Sequence, residues 1–478
     1  MSTDPVGKGS MREYCGVVGI YGNKNASRLA YLALYALQHR GEESAGIVSF
    51  DGKKVHLHKG MGLVGDLFKE SDIKKLKGAI AIGHVRYSTT GSSTVKNVQP
   101  LLINHKKGFI AVAHNGNLTN SVELRNELED NGSILQTTMD SELIVHFLVR
   151  DHKNNYQSKV LSIAQRMEGA YSFVIMINDA IYAMRDPHGF RPLCIGKLDG
   201  GYVVASETCA LDMIQATYVR DVEPGEIVIL DKGGITSLKS PEQKRHAFCI
   251  FEYIYFSRPD SNIFTKSVYL TRKNLGRMLA KEHPAEADIV MPIPDSGTYA
   301  ALGYAEESHI PLEMGLVRNH YVGRTFIQPS QLIRDFKVKV KLNPIRDVLK
   351  DKRIVIVEDS IVRGTTSKGR VRTLRQAGAK EIHMRVSCPP LISPCFYGID
   401  FPTKKELIAS SHTTEQIREF IGVDSLKYLS LDGMLNSMML PKNEFCTACF
   451  NGDYPTAICK PPSKKALERT RCKGLEIK

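Results

Sequence analysis

Residues 353–367 read RIVIVEDSIVRGTTS. The β-branched run predicts a buried strand that ends on two adjacent carboxylates, Glu358 and Asp359. A turn carrying Ser360, Arg363 and Gly364 follows, and Thr365, Thr366 and Ser367 open a helix. A strand running directly through a glycine turn into a helix calls for a parallel α/β sheet with crossover helices. Ligands of such sheets bind beyond the carboxyl ends of the strands. A helix N-terminus presents free N–H groups and positive dipole to phosphate, and the three hydroxyls add donors. Two carboxylates repel phosphate. They suit sugar hydroxyls, a developing positive charge or Mg²⁺. A phosphate cradle beside an acidic pair therefore predicts a phosphorylated sugar as ligand.

The surrounding pattern agrees. Helices are predicted over 268–281 and 365–376, and strands over 289–291, 313–317, 353–357 and 381–386. The first half of the 478 residues reads differently, as short strands such as GVVGIYG (16–22), YSFVIMI (171–177), AIYAM, RPLCIG, YVVAS and EIVIL. Turn signals at Pro187, Gly189 and Pro224-Gly225 separate them. One helix is predicted over 26–38, with Leu29, Leu32, Ala33, Ala36 and Leu37 on its buried face, and another over 140–149. The polar stretch 231–247, with paired glycines and a proline, marks the expected domain boundary. No repeat of 20–50 residues is visible, which removes solenoids and propellers.

The net charge of +13 could signal nucleic acid, an anionic membrane or small anions. Segments 331–353 (eight basic, three acidic residues) and 460–478 (seven basic, two acidic) each carry a net +5. Charge so localised argues against a broad nucleic-acid face. No apolar run approaches the ~18 residues of a membrane helix. Residues 1–14 lack the apolar core of a secretory leader. A reducing, cytoplasmic setting is expected, in which the ten cysteines are free, catalytic or metal-binding.

Cys15 opens a strand, and by itself such a cysteine is an ordinary core residue. Further along stand QHRG (38–41), GHVRYST (83–89), HNGNL (114–118) and MDSE (139–142). In this order they resemble the class II glutamine amidotransferase domain, an N-terminal-nucleophile (Ntn) fold of two stacked antiparallel sheets. The resemblance covers about residues 15–230. It implies that Cys15 is the nucleophile and that its own α-amine is the base, which requires residues 1–14 to be a propeptide. It also implies that Asn115 and the Gly116 N–H form the oxyanion hole, that Arg86 grips the glutamine carboxylate and that Asp140 holds its ammonium. His39, His84 and His114 are expected to be structural, since the amine supplies the base. Glu42 and Ser44 depart from the Gln and Gly common in that family, with no catalytic role assigned.

The 353–367 string closely resembles the phosphoribosyl pyrophosphate (PRPP) motif of type I phosphoribosyltransferases. The amidotransferase members usually carry Asp-Asp where this chain has Glu358-Asp359. Resemblance places the pyrophosphate loop at Asp295, Ser296 and Gly297. It places Mg²⁺ at Ser296, Glu358 and Asp359, and a mobile basic lid over 331–353 with Arg324, Lys337, Lys339 and Lys341 as candidates.

Cys446 and Cys449 form a C-x₂-C pair that Cys249 and Cys395 could complete. Zinc and a [4Fe–4S] cluster both take four thiolates, so spacing decides neither. The sequence around each cysteine resembles the cluster ligands of the iron–sulfur-containing amidophosphoribosyltransferase family. Cys194, Cys209 and Cys388 are read as core thiols in strands; Cys459 and Cys472 have no assignment. YIYFSRPDS (253–261) is also characteristic of that family, which the chain resembles over about residues 15–455. The expected organisation is a propeptide (1–14), an Ntn αββα glutaminase domain (15–245), a phosphoribosyltransferase domain (246–459) and a basic tail (460–478). The implied reaction converts glutamine, PRPP and water to 5-phosphoribosylamine, glutamate and pyrophosphate, opening purine synthesis. Ammonia made at Cys15 is expected to travel through a closed interior. Resemblance further implies a homotetramer inhibited by purine nucleotides. The alternative is a PRPP-sensing regulator with a degenerate glutaminase domain.

Overall fold

The computed structural model describes residues 15–87, 94–151, 155–239, 244–319, 342–400 and 403–458. The expected propeptide, the lid candidates Arg324, Lys337, Lys339 and Lys341, the 460–478 tail, Cys459 and Cys472 lie outside the described residues.

The first half forms two antiparallel sheets of seven and six strands. Strand Gly16–Tyr21 sits inside the larger sheet, flanked by Ile80–Arg86 and Gly201–Ala205. Strands Gly108–Leu118 and Gly169–Ile177 pair in the smaller one. Val17, Ile82, Ala111, Ala113, Val174, Ile181 and Val228 fill the layer between the sheets. Helix Ala26–Ala36 covers the outside of one sheet, and Ser121–Asp130, Ser141–Arg150 and Tyr156–Ala164 cover the other. Every residue of Gly169–Ile177 is buried, because both faces are covered. That is why YSFVIMI is continuous rather than alternating. The αββα layering matches the expectation.

Helix Ala26–Ala36 stops two residues early and passes into a tight turn, Gln38–Arg40. Of the expected face, Ala33, Ala36 and Leu37 are buried and Leu29 and Leu32 only partly so, while Ala30 and Leu34 are buried in addition. Small residues at Ala30 and Ala33 let the helix lie close to the sheet, and Leu34 and Leu37 fill the space beside them.

The second half contains a parallel sheet in the order Ile289–Pro292, Arg353–Glu358, Glu381–Val386, Ser425–Tyr428. The segment expected to be a further strand, 313–317, instead pairs as Leu316–Arg318 with Leu342–Pro344 in a separate antiparallel ribbon. Within the polar 231–247 segment, the expected division at 245/246 leaves one further strand in the first domain. Gly234–Lys239 pairs with Glu226–Asp231 and belongs to the first domain. Its half-exposed edge position explains its polar sequence. Cys209 lies in helix Thr208–Met213 rather than a strand.

Candidate active site

Cys15, Arg86, Tyr87, Gln99, His114, Gly116, Met139 and Asp140 line one small cavity at the rim of the two sheets. Cys15 precedes strand Gly16–Tyr21, and Arg86 ends the adjacent strand Ile80–Arg86, so the pairing of these strands sets the thiol beside the guanidinium. The Cys15 Sγ donates to the Tyr87 carbonyl at 3.4 Å. Burial pushes the thiol up to about 11, while the Tyr87 contact and Arg86 pull the other way. At neutral pH the thiol is protonated and needs a base.

Asn115 and Gly116 lie in strand Gly108–Leu118. Asn115 is fully buried, yet neither its Nδ2 nor its Oδ1 has a hydrogen-bond partner among the described residues. An orphaned buried amide costs ~1–3 kcal/mol, a penalty that a ligand bearing partial negative charge would remove. Gly116 has φ +145°, and a Cβ there would sit 2.1 Å from the Ala170 carbonyl oxygen, so only glycine fits. Asp140 is anchored rather than free: His114 Nδ1 contacts Oδ1 at 3.0 Å, and the Leu118 N–H donates to Oδ2 at 3.2 Å. Burial opposes its ionisation, but these partners hold the carboxyl below its usual range. His84 Nε2 contacts the His114 carbonyl at 2.9 Å, and burial pushes this imidazole down to about 3. His39 pairs with Glu207. Each histidine thus has a structural partner.

The strand end of the second domain forms the other site. Glu358 closes strand Arg353–Glu358, and Gly364, at φ +74°, turns the chain into helix Thr365–Gln376. That left-handed position favours glycine. Asp295, Ser296 and Gly297 lead into helix Thr298–Ser308. Ser296 and Ser360 both donate to the Asp359 carboxylate, which ties the two loops together. Glu358 is bound differently, by Arg370 Nη1 at 2.7 Å. Burial pushes Glu358 up to about 7, against the pull of Arg370. Asp295 pairs with Arg318, and Arg363 with Glu406 at 3.2 Å. The structure therefore brings the predicted loops together but commits Glu358 to a cation inside the protein. For Mg²⁺ the oxygen set fits at Asp359 and Ser296, whereas Glu358 is already engaged.

The four cysteines of the thiolate set also converge. Cys249 faces Cys446 across the parallel pair Phe248–Cys249 and Phe445–Cys446. The Ile392 and Ser393 N–H groups donate to the Cys449 carbonyl, which brings the Cys395 loop alongside. Burial raises the Cys249, Cys446 and Cys449 thiols, and the neighbouring thiols raise them further. Among the described residues no group of three or more His, Cys, Asp or Glu is arranged to hold a metal ion. The donor chemistry is that of a thiolate-ligated centre: the four thiols from three segments are uncharged as they stand, and a bound cation would favour their deprotonation to thiolate ligands.

Sequence reasoning assigned no role to the connection between the sites. Arg40, fully buried, donates to the Cys15 carbonyl at 3.2 Å, to Glu252 at 2.7 and 3.0 Å, and to Glu207. Glu252 begins the turn Glu252–Phe256 in the second domain. Arg272 clamps the same turn from the other side through the Tyr253 and Ser257 carbonyls, at 2.6 and 2.8 Å. Arg272 also feels the charge of Asp359. Cys395–Gly398 reaches the first domain too: Asn117 Nδ2 donates to the Phe396 carbonyl at 2.9 Å, and Gly398 packs on Gly116. The available signal was a lone charge in an apolar stretch, as in Phe251-Glu252-Tyr253, which predicts a buried partner.

Known proteins give the same picture. A family model described as a glutamine amidotransferase domain matches residues 84–213. Amidophosphoribosyltransferase 1, chloroplastic, of Arabidopsis thaliana is 53% identical over 446 residues, covering 93% of this chain and 79% of that protein. Amidophosphoribosyltransferase of Bacillus subtilis is 49% identical over 453 residues, covering 94% and 95%. The solved structure of glutamine PRPP amidotransferase from B. subtilis, complexed with ADP and GMP, superposes with a TM-score of 0.90 at 48% identity, covering 95% of this chain and all of that one. The chain belongs to the amidophosphoribosyltransferase family.

Proposed function

We propose that the chain catalyses glutamine + PRPP + H₂O → 5-phosphoribosylamine + glutamate + pyrophosphate, the purine-synthesis reaction its family membership indicates. The observation that carries the residue-level reading is the unpartnered, buried Asn115 amide in the same strand as Gly116, which lines a cavity with Cys15. Arg86 and Asp140 orient glutamine there. The Cys15 thiolate attacks the side-chain amide, and Asn115 Nδ2 with the Gly116 N–H receives the oxyanion. Departing ammonia leaves a thioester, which water hydrolyses to glutamate. Removal of residues 1–14 would free the Cys15 α-amine to take the thiol proton, a role that burial of the thiol makes necessary. Intact mass of active protein beginning at Cys15 supports this processing; retention of residues 1–14 in active protein opposes it.

At the second site, the N–H groups and hydroxyls of Thr365, Thr366 and Ser367 hold the phosphate. Asp295, Ser296 and Gly297 border the pyrophosphate, and Asp359 faces the ribose hydroxyls. Arg363, Arg324 and Lys341 are candidates for the remaining anionic oxygens, the last two outside the described residues. Mg²⁺, held at Asp359 and Ser296, would neutralise pyrophosphate charge as it leaves. Ammonia from the first site displaces pyrophosphate at C1 of the ribose, and confinement protects it from protonation in bulk water. Cys249, Cys395, Cys446 and Cys449 would hold a [4Fe–4S] cluster, or zinc, as a structural clamp behind the Phe396 contact. Inhibition by purine nucleotides is supported by the B. subtilis relative solved with ADP and GMP. A homotetramer and a cytoplasmic location complete the reading. Among the described residues no helix is long and apolar enough to cross a membrane. The test is stoichiometry: glutamate and pyrophosphate should appear in a ratio of about one when both substrates are present. Pyrophosphate release indifferent to glutamine would favour a PRPP-binding regulator instead.

A further inference from the structure

Two carboxylates stand side by side at the end of strand Arg353–Glu358, both buried, and the protein holds them in unlike ways. Asp359 accepts from two neutral hydroxyls, Ser296 and Ser360. A ligand hydroxyl can displace donors of that kind. Glu358 accepts from a guanidinium, Arg370 Nη1, at 2.7 Å, with the carboxylate side chain 5% exposed and the arginine 21%. Arg370 lies in the second turn of helix Thr365–Gln376, twelve residues on from Glu358. The helix that cradles phosphate at its first turn thus restrains the neighbouring acid at its second.

We propose that Arg370 is a positioning residue for PRPP: by pairing with Glu358 it holds that carboxylate within the protein and leaves Asp359 as the acid offered to the sugar. Without the pair, the Glu358 side chain can leave its buried position for the ligand cavity, where solvent lets it ionise and sets a second carboxylate beside an anionic ligand. It repels the phosphates and competes for the hydroxyls of Ser296 and Ser360. Glutamate has one methylene more than aspartate, which gives the strand-end acid additional reach toward the helix. The inference rests on the reading of this strand end as the PRPP site.

The experiment measures PRPP affinity by titration calorimetry at fixed Mg²⁺, alongside KM and kcat of the ammonia-dependent reaction. Arg370→Met should weaken PRPP binding and raise its KM by at least ~10-fold while kcat stays within ~2-fold. Arg370→Lys keeps a cation at the position and should retain most of the affinity. The double variant Arg370→Met/Glu358→Gln removes the stray charge and should return to within ~3-fold of the parent affinity. Unchanged affinity in Arg370→Met overturns the proposal. So does a double variant no better than Arg370→Met, since Glu358 would then contact the ligand itself. If Arg370→Met does not fold, the Lys variant and the double variant carry the test. Failure of the parent protein to bind PRPP would instead overturn the site reading.

Discussion

Replacing Arg40 with methionine tests the join between the two chemistries. The side chain makes four hydrogen bonds, three to carboxylates and one to the Cys15 carbonyl. Bonds to charged groups are worth ~1.5–3 kcal/mol each, so a naive sum would exceed most total stabilities. The carboxylates keep other partners, however. Glu207 retains His39, Ser261 Oγ and the Arg258 N–H, and Glu252 retains Arg191 and Ser257 Oγ. The expected loss is therefore the ~3–5 kcal/mol typical of breaking one buried pair. Tyrosine fluorescence during guanidinium unfolding reports it, since the chain has 19 tyrosines and no tryptophan. Arg40→Met/Glu252→Gln should lose less than the sum of the single variants, by at least ~1.5 kcal/mol. The sign of the pH dependence is fixed. Burial opposes ionisation of Glu252, but Arg40 and Arg191 hold it below the ordinary glutamate value of 4.5. Its contribution is present above that value and disappears as pH falls through the lowered one. Glu252→Gln should accordingly flatten the acid limb of the stability curve. Additive single losses, or an Arg40→Met loss below ~1 kcal/mol, would refute the ion-pair account.

Three further outcomes follow from the sites. Asn115→Ala should lower glutaminase kcat by ~10²–10³ with little change in glutamine KM, measured by glutamate release. In protein that retains residues 1–14, alkylation of Cys15 by iodoacetamide should be slow at neutral pH and rise ~10-fold per pH unit until near 11, the thiol's raised value. Mass spectrometry of the labelled peptide checks this. Anaerobically purified protein should carry about four irons per chain, and chelation should loosen the Cys395 segment in hydrogen exchange. Stoichiometric zinc without iron would assign the four-thiol site to zinc.

What was legible in the sequence was what is contiguous. The strand, acidic pair, glycine turn and hydroxyl run of 353–367 occupy one local unit, so the string carries its own geometry. Helix Thr365–Gln376 and strand Glu381–Val386 stand where their patterns place them. Strand Gly234–Lys239 was lost because an exposed edge has no apolar alternation to betray it. Leu316–Arg318 is extended as expected, but its partner, Leu342–Pro344, lies in the basic segment read as a lid. The Arg40–Glu252 pair spans 212 residues, and no local pattern encodes such a partnership. Arg370 was hidden for a related reason: on a helix with several basic residues, only the fold singles out the one that turns inward. The convergence of Cys15, Arg86, Gly116 and Asp140 could be expected only from resemblance, because each comes from a different stretch of chain.

The most direct measurement is pyrophosphate release from PRPP by Cys15→Ala, with glutamine and with ammonia as alternative nitrogen donors. The account predicts that glutamine-dependent release disappears while ammonia-dependent release persists, because the thiol serves only the first site. Retention of glutamine-dependent release in that variant would contradict it.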